Sequence, residues 1–151
     1  MPMYDVFLCY NSQDKAEVLR IAEDLDNRGI RVWLDEWDVP PGQRWQQLIQ
    51  EQITRIESAA VFVGENGIGP WQDEEIEAFL QEFRQRECTV IPVLLPSAPS
   101  KPKLPPFLQN RRWVDFRKRQ PDPNDPNPRN PLELLIFGIR RESPRRPRNS
   151  Q

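Results

Sequence analysis

Four carboxylates, Asp73, Glu74, Glu75 and Glu77, follow Trp71 at the head of an apolar stripe that runs through Ile76, Phe79, Leu80 and Phe83. The 151-residue chain contains no histidine, which excludes Ser-His-Asp and Cys-His catalysis and every His-ligated metal site. Cys9 and Cys88 stand inside apolar segments without CxxC spacing and read as buried free thiols rather than metal ligands or a disulfide. Chemistry must therefore come from carboxylates, amides, hydroxyls and aromatics. No metal site is expected.

Helical geometry sorts the four carboxylates. At about 3.6 residues per turn, Glu74 points away from the apolar stripe, while Glu75 lies about 90° from its centre, at the border of core and crevice. Asp73 and Glu77 border the other flank. Carboxylates in a first helical turn are also stabilised by the helix dipole alone, so geometry permits a catalytic role for Glu75 or Asp73 without requiring one. Trp37 and Trp71 lie outside any apolar stripe and suit stacking on a ligand or a partner chain, whereas Trp45 begins the stripe of its helix and suits the core. Asp35 ends a strand and opens a loop stiffened by Pro40, Pro41 and Gly42. Neither GxGxxG nor GxxxxGK[ST] is present, and the acidic positions of a response regulator read Cys9-Tyr10-Asn11 and Val63-Gly64-Glu65.

Strands and helices alternate along the chain to position these groups. Residues 4–10, 30–34, 59–64, 88–95 and 112–116 read as five strands, with Pro92 arguing for an irregular or edge position in the fourth. Asp14, three residues before Glu17, reads as the cap of a helix carrying Val18, Ile21, Ala22 and Leu25, which Gly29 ends. Helices are also expected over Trp45–Ile56, from Pro70 to Phe83, and through Leu132, Leu135, Ile136 and Ile139. The alternation predicts an α/β fold: a flavodoxin-like five-stranded parallel sheet in the order 2-1-3-4-5 with helices on both faces. Its crevice would lie among loops 10–14, 35–44 and 64–71.

Of the 17 prolines, 12 fall between Pro96 and Pro147, so a conventional fold is followed by a punctuated region. One domain over residues 1–140 is expected, then an Arg- and Pro-rich tail or linker over 141–151 that is disordered. With 21 basic and 23 acidic residues the net charge is -2, which argues against direct nucleic-acid binding. No apolar run of membrane-spanning length and no signal peptide is present, so the expectation is a cytoplasmic protein without membrane contact.

Three segments carry a resemblance. YDVFLCYNSQD resembles the opening box of Toll/interleukin-1 receptor (TIR) domains, VWLDEWDVPPGQRW their second box and BB loop, and GIGPWQDEEIEAFL the W-x-x-x-E segment of the TIR enzymes that cleave NAD. The resemblance covers about residues 4–140, and DEWDVPPG is similar to the bacterial branch. It implies that Glu75 is the catalytic glutamate and Trp71 the tryptophan of that motif. It further implies that Tyr10, Asn11 and Ser12 line the NAD site and that the BB loop, residues 35–42, covers the site and joins protomers. Asp35, Trp37, Arg44 and Trp45 complete the expected substrate-binding set, with Arg44 the candidate for the phosphates because Asn11 and Ser12 stand where some animal enzymes carry arginines.

The implied activity is that of an NAD+ glycohydrolase or ADP-ribosyl cyclase, with NAD+ as substrate and no cofactor. Such enzymes serve antiphage defence or nucleotide signalling in bacteria, and an isolated domain would await self-association, a sensor domain or a partner protein. The alternatives are a non-catalytic TIR–TIR interaction module and, more remotely, a nucleoside (deoxy)ribosyltransferase on the related flavodoxin-like scaffold.

Overall fold

The computed structural model describes residues 4–34, 41–42, 55–65, 67, 81, 85–86, 88–102, 104, 106–117 and 130–141. Within them the chain forms β1 (Val6–Cys9), α1 (Lys15–Asn27), β2 (Val32–Trp33), β3 (Ser58–Val63), β4 (Thr89–Leu94), α2 (Pro106–Gln109), β5 (Val114–Asp115) and α3 (Pro131–Arg140). The five strands are all parallel and ordered β2-β1-β3-β4-β5, as expected. Apart from Arg55, Ile56 and Gln81, the helices expected over 45–56 and 70–83 lie outside the described residues, as does the tail beyond residue 141.

Strand alternation divides the core between the two faces of the sheet. Val6 and Leu8 of β1 point with Ala60, Phe62, Ile91 and Val93 to the face that Val18, Ile21 and Leu25 of α1 and Leu135 and Ile139 of α3 cover. Phe7 and Cys9 point the other way, among Trp33, Ala59, Val61, Val63, Leu94 and Leu108. Phe7 and Trp33 meet edge to face with ring centroids 5.3 Å apart. Apolar side chains on both faces are what a parallel sheet clad by helices demands, and they explain the unbroken runs VFLC and SAAVFV. Cys9 is a buried free thiol; Cys88, also free, is only partly buried.

The helix ends follow their local chemistry. Gly29 takes φ +82 after α1, a conformation that suits glycine and releases the chain into β2. Asn130 caps α3, accepting a hydrogen bond from the Glu133 N–H at 2.8 Å, with Pro131 at the first helical position.

One expectation is corrected. β4 lies inside the sheet between β3 and β5, so Pro92 does not mark an edge strand. The Leu95 N–H donates to Val63 and the Phe116 N–H to the Leu94 carbonyl, so alternate residues of this segment face β3 and β5. Pro92 is in phase with Leu94, and its missing N–H falls on the β5 side, just ahead of the two-residue β5 ladder. An internal strand thereby accommodates a proline. Among the described residues, no helix is long and apolar enough to cross a membrane.

Candidate functional site

The order of the sheet reverses between β1 and β3, so their carboxyl ends bound the crevice where this architecture seats ligands. β1 delivers Tyr10, Asn11 and Ser12 to that edge, and β3 delivers Gly64 and Glu65. Tyr10 is 8% exposed and belongs to the core cluster on the α1 face. Asn11 is also buried, and its side chain accepts the Gln13 N–H at 3.0 Å, starting a short 3-10 turn over Ser12–Asp14. Ser12 is exposed. After β3 the chain turns tightly, with the Gly67 N–H donating to the Gly64 carbonyl at 3.2 Å.

Asp14 is the residue that sequence reasoning misplaced. It does stand at the N-cap position of α1, yet its side chain makes no capping hydrogen bond. Asn11 has already organised the turn, so the cap read from the spacing of Asp14 and Glu17 does not form. The Asp14 side chain instead folds inward, and the residue is 5% exposed. Its Oδ2 is fully buried and, among the described residues, has no hydrogen-bond partner. A Cβ placed on Gly64 would overlap this oxygen, so the carboxyl group rests directly on the backbone just after β3. Burial raises its proton affinity above the ordinary aspartate range, and the charges of Glu17 and Glu65 push in the same direction. The sequence signal that could have found it is the redundancy of Asn11 and Asp14, two capping residues at one helix start.

Asp35, Trp37, Arg44, Trp45, Trp71 and Glu75 lie outside the described residues, so of the expected substrate-binding set the structure places only Tyr10, Asn11 and Ser12 at the β1 end. No group of three or more His, Cys, Asp or Glu side chains able to hold a metal occurs among the described residues.

A cleft of about 670 Å³ opens at the opposite, amino end of the strands, between Asp5, Glu57, Arg86, Cys88, Ile139, Arg140 and Arg141. Several of its polar groups are committed to the fold. Asp5 takes the Arg31 backbone N–H at 2.7 Å and its guanidinium at 3.0 Å, while Arg86 donates to the Ile56 carbonyl and Arg140 to that of Arg28.

A parallel five-stranded sheet with this switch point defines the flavodoxin-like class of α/β domains. Within that class, the model of a family described as TIR domain matches residues 6–129, and the chain belongs to the TIR domain family. Among curated relatives it is 26% identical over 92 residues to the NAD(+) hydrolase TcpA of Theionarchaea archaeon (strain DG-70-1), covering 60% of this chain and 28% of that protein. It is likewise 26% identical over 94 residues to the 2' cyclic ADP-D-ribose synthase AbTIR of Acinetobacter baumannii, covering 61% of this chain and 35% of the relative. The chain thus spans about a third of the length of the curated relatives it matches. Among solved structures, the TIR domain of the Toll-related receptor TRR-2 of Hydra magnipapillata superposes with a TM-score of 0.60 at 18% identity, covering 92% of this chain and 94% of that one, a likeness of fold.

Proposed function

We propose that this TIR domain cleaves the bond between nicotinamide and ribose in NAD+, with Glu75 as the catalytic carboxylate and Trp71 as a stacking platform. The observation that carries the reading is the four-residue step from Trp71 to Glu75, in a chain whose family relatives are named as an NAD hydrolase and a cyclic ADP-ribose synthase. The reaction suits a chain with no histidine. Nicotinamide is bound to ribose as a cation and leaves neutral, so no general acid is required. Positive charge instead develops on the ribose, and an oxocarbenium-like transition state is stabilised by a nearby carboxylate and by contacts to the sugar hydroxyls.

Whether water or one of the substrate's own hydroxyls replaces nicotinamide decides between ADP-ribose and a cyclic isomer; both outcomes use Glu75. Tyr10, Asn11, Ser12, Asp35, Trp37, Arg44 and Trp45 make up the remainder of the proposed substrate site. Self-association through residues 35–42 completes that site, and the setting is a cytoplasmic effector in defence or signalling. The resemblance of these segments to TIR boxes supports both assignments.

The test is nicotinamide release from NAD by the purified chain over a range of protein concentrations, beside Glu75→Gln. Release that rises more steeply than protein concentration and is lost in Glu75→Gln is the expected result. Release unaffected by that substitution would refute the assignment of Glu75.

A further inference from the structure

The Asp14 side chain has two destinations within its reach. The first is the one it occupies, folded inward onto Gly64, where only a residue without a Cβ leaves it room and its Oδ2 is buried with no hydrogen-bond partner. A neutral carboxyl group tolerates that place far better than a carboxylate does, because desolvating an uncompensated charge is costly. Among the described residues the charges that act on it, Glu17 of α1 and Glu65 after β3, are both negative, and no cation offsets them.

The second destination is one side-chain rotation away. Asp14 holds the N-cap position of α1, a helix of 13 residues, without making a capping bond. The backbone N–H groups of Ala16 and Glu17, second and third in that helix, are the donors a capping side chain serves, and the helix dipole favours a carboxylate there over a neutral group. Ser12, Gln13, Lys15 and Ala16 are exposed around it, so a carboxylate turned this way is also hydrated. Each destination suits one protonation state.

The two arrangements differ at the switch point of the sheet. In the inward one, the Asp14 carboxyl group ties the loop after β1 to Gly64, which opens the tight turn closed by the Gly67 N–H. In the outward one that contact is gone, and Gly64 gains the space the carboxyl group filled. We infer that Asp14 is a proton-operated latch: uncharged, it packs on Gly64 and joins the loops that follow β1 and β3, and ionised, it turns outward to cap α1 and releases the turn at Gly64–Gly67. The edge of the crevice thereby changes shape with pH. The latch involves no substrate and stands apart from the NAD reading.

The test is an NMR titration of the full chain between pH 3 and pH 7. It follows the Asp14 side-chain carboxyl carbon and the amide signals of Ala16, Glu17, Gly64 and Gly67, beside Asp14→Asn, Glu17→Gln and Glu65→Gln. The Asp14 carboxyl group should titrate with a midpoint above the ordinary 3.8, and all four amide signals should move with that midpoint. Those of Ala16 and Glu17 should move downfield as they become hydrogen-bonded. Asp14→Asn should abolish the common transition, and Glu17→Gln and Glu65→Gln should each lower its midpoint. A midpoint at or below 3.8, Gly64 and Gly67 signals that do not follow Asp14, or the same transition in Asp14→Asn would each overturn the inference. If Asp14→Asn does not fold, the two glutamate variants decide, and a midpoint unmoved in both overturns it. None of these outcomes bears on nicotinamide release, so the NAD reading stands or falls separately.

Discussion

Two aspartates stand near opposite ends of β1, and their fates differ. Asp5, at the amino end, receives the Arg31 backbone N–H and guanidinium, and its own carbonyl accepts the Ser58 hydroxyl at 2.6 Å. Burial works to raise its pKa, but the hydrogen bonds and charge of Arg31, with Arg140 adding to the field, bring it below the ordinary value. Asp14, at the carboxyl end, is deeply buried, lacks a donor at Oδ2 among the described residues and is driven the other way. The amino end spends its polar groups on holding β1, β2 and β3 together. The carboxyl end leaves one without a donor among the described residues, so the two edges of the sheet treat a carboxylate in opposite ways.

The largest effect on this contrast should come from Gly64→Ala. Its new methyl group would displace the Asp14 carboxyl group, costing about 1–3 kcal/mol in urea unfolding. Unchanged stability would mean that Asp14 has room to move and is not held by the β3 backbone. Asp5→Asn comes next, with a loss of about 1 kcal/mol at pH 7 from the broken contact with Arg31. Asp14→Asn should have the smallest effect and the opposite sign, a gain of up to about 1 kcal/mol at pH 7. A loss there would erase the distinction between the two ends.

The pH dependence sharpens the same comparison. The folded pKa of Asp5 is depressed, so its stabilisation is present above the ordinary 3.8 and disappears as pH falls through the lower folded value. The folded pKa of Asp14 is raised, so its favourable neutral form is fully available below 3.8 and is lost as pH rises through the higher folded value, against the charges of Glu17 and Glu65. Unfolding curves between pH 3 and pH 7 should therefore show the Asp5→Asn deficit and the Asp14→Asn gain both shrinking toward acid. A deficit that persists at low pH would point to packing rather than charge.

Most of the sheet was legible in the sequence because burial on both faces writes continuous apolar runs such as VFLC and SAAVFV. The strand order followed from the alternation of strands with helices and their right-handed crossovers. α3 was legible from the spacing of Leu132, Leu135, Ile136 and Ile139, of which Leu135 and Ile139 are buried. Pro92 misled because the side of the strand on which a missing N–H falls depends on a register that composition does not encode. Asp14 misled for a related reason. An aspartate before a helix has the same local pattern whether it caps the helix or turns inward, and only the approach of Gly64, 50 positions along the chain, distinguishes the two. The Trp71–Glu75 motif and the loop over 35–42 were read from the sequence alone, and the motif and residues 35–40 lie outside the described residues.

The central claim is that the carboxyl edge of this sheet cleaves NAD through Glu75. It is tested most directly by following nicotinamide release from NAD by the chain at high concentration, beside Glu75→Gln. The account predicts release by the unsubstituted chain and a fall of at least about 100-fold in the variant, the scale expected when a charge that stabilises a transition state is removed. Equal release by both proteins, or none by either at any concentration, would contradict it.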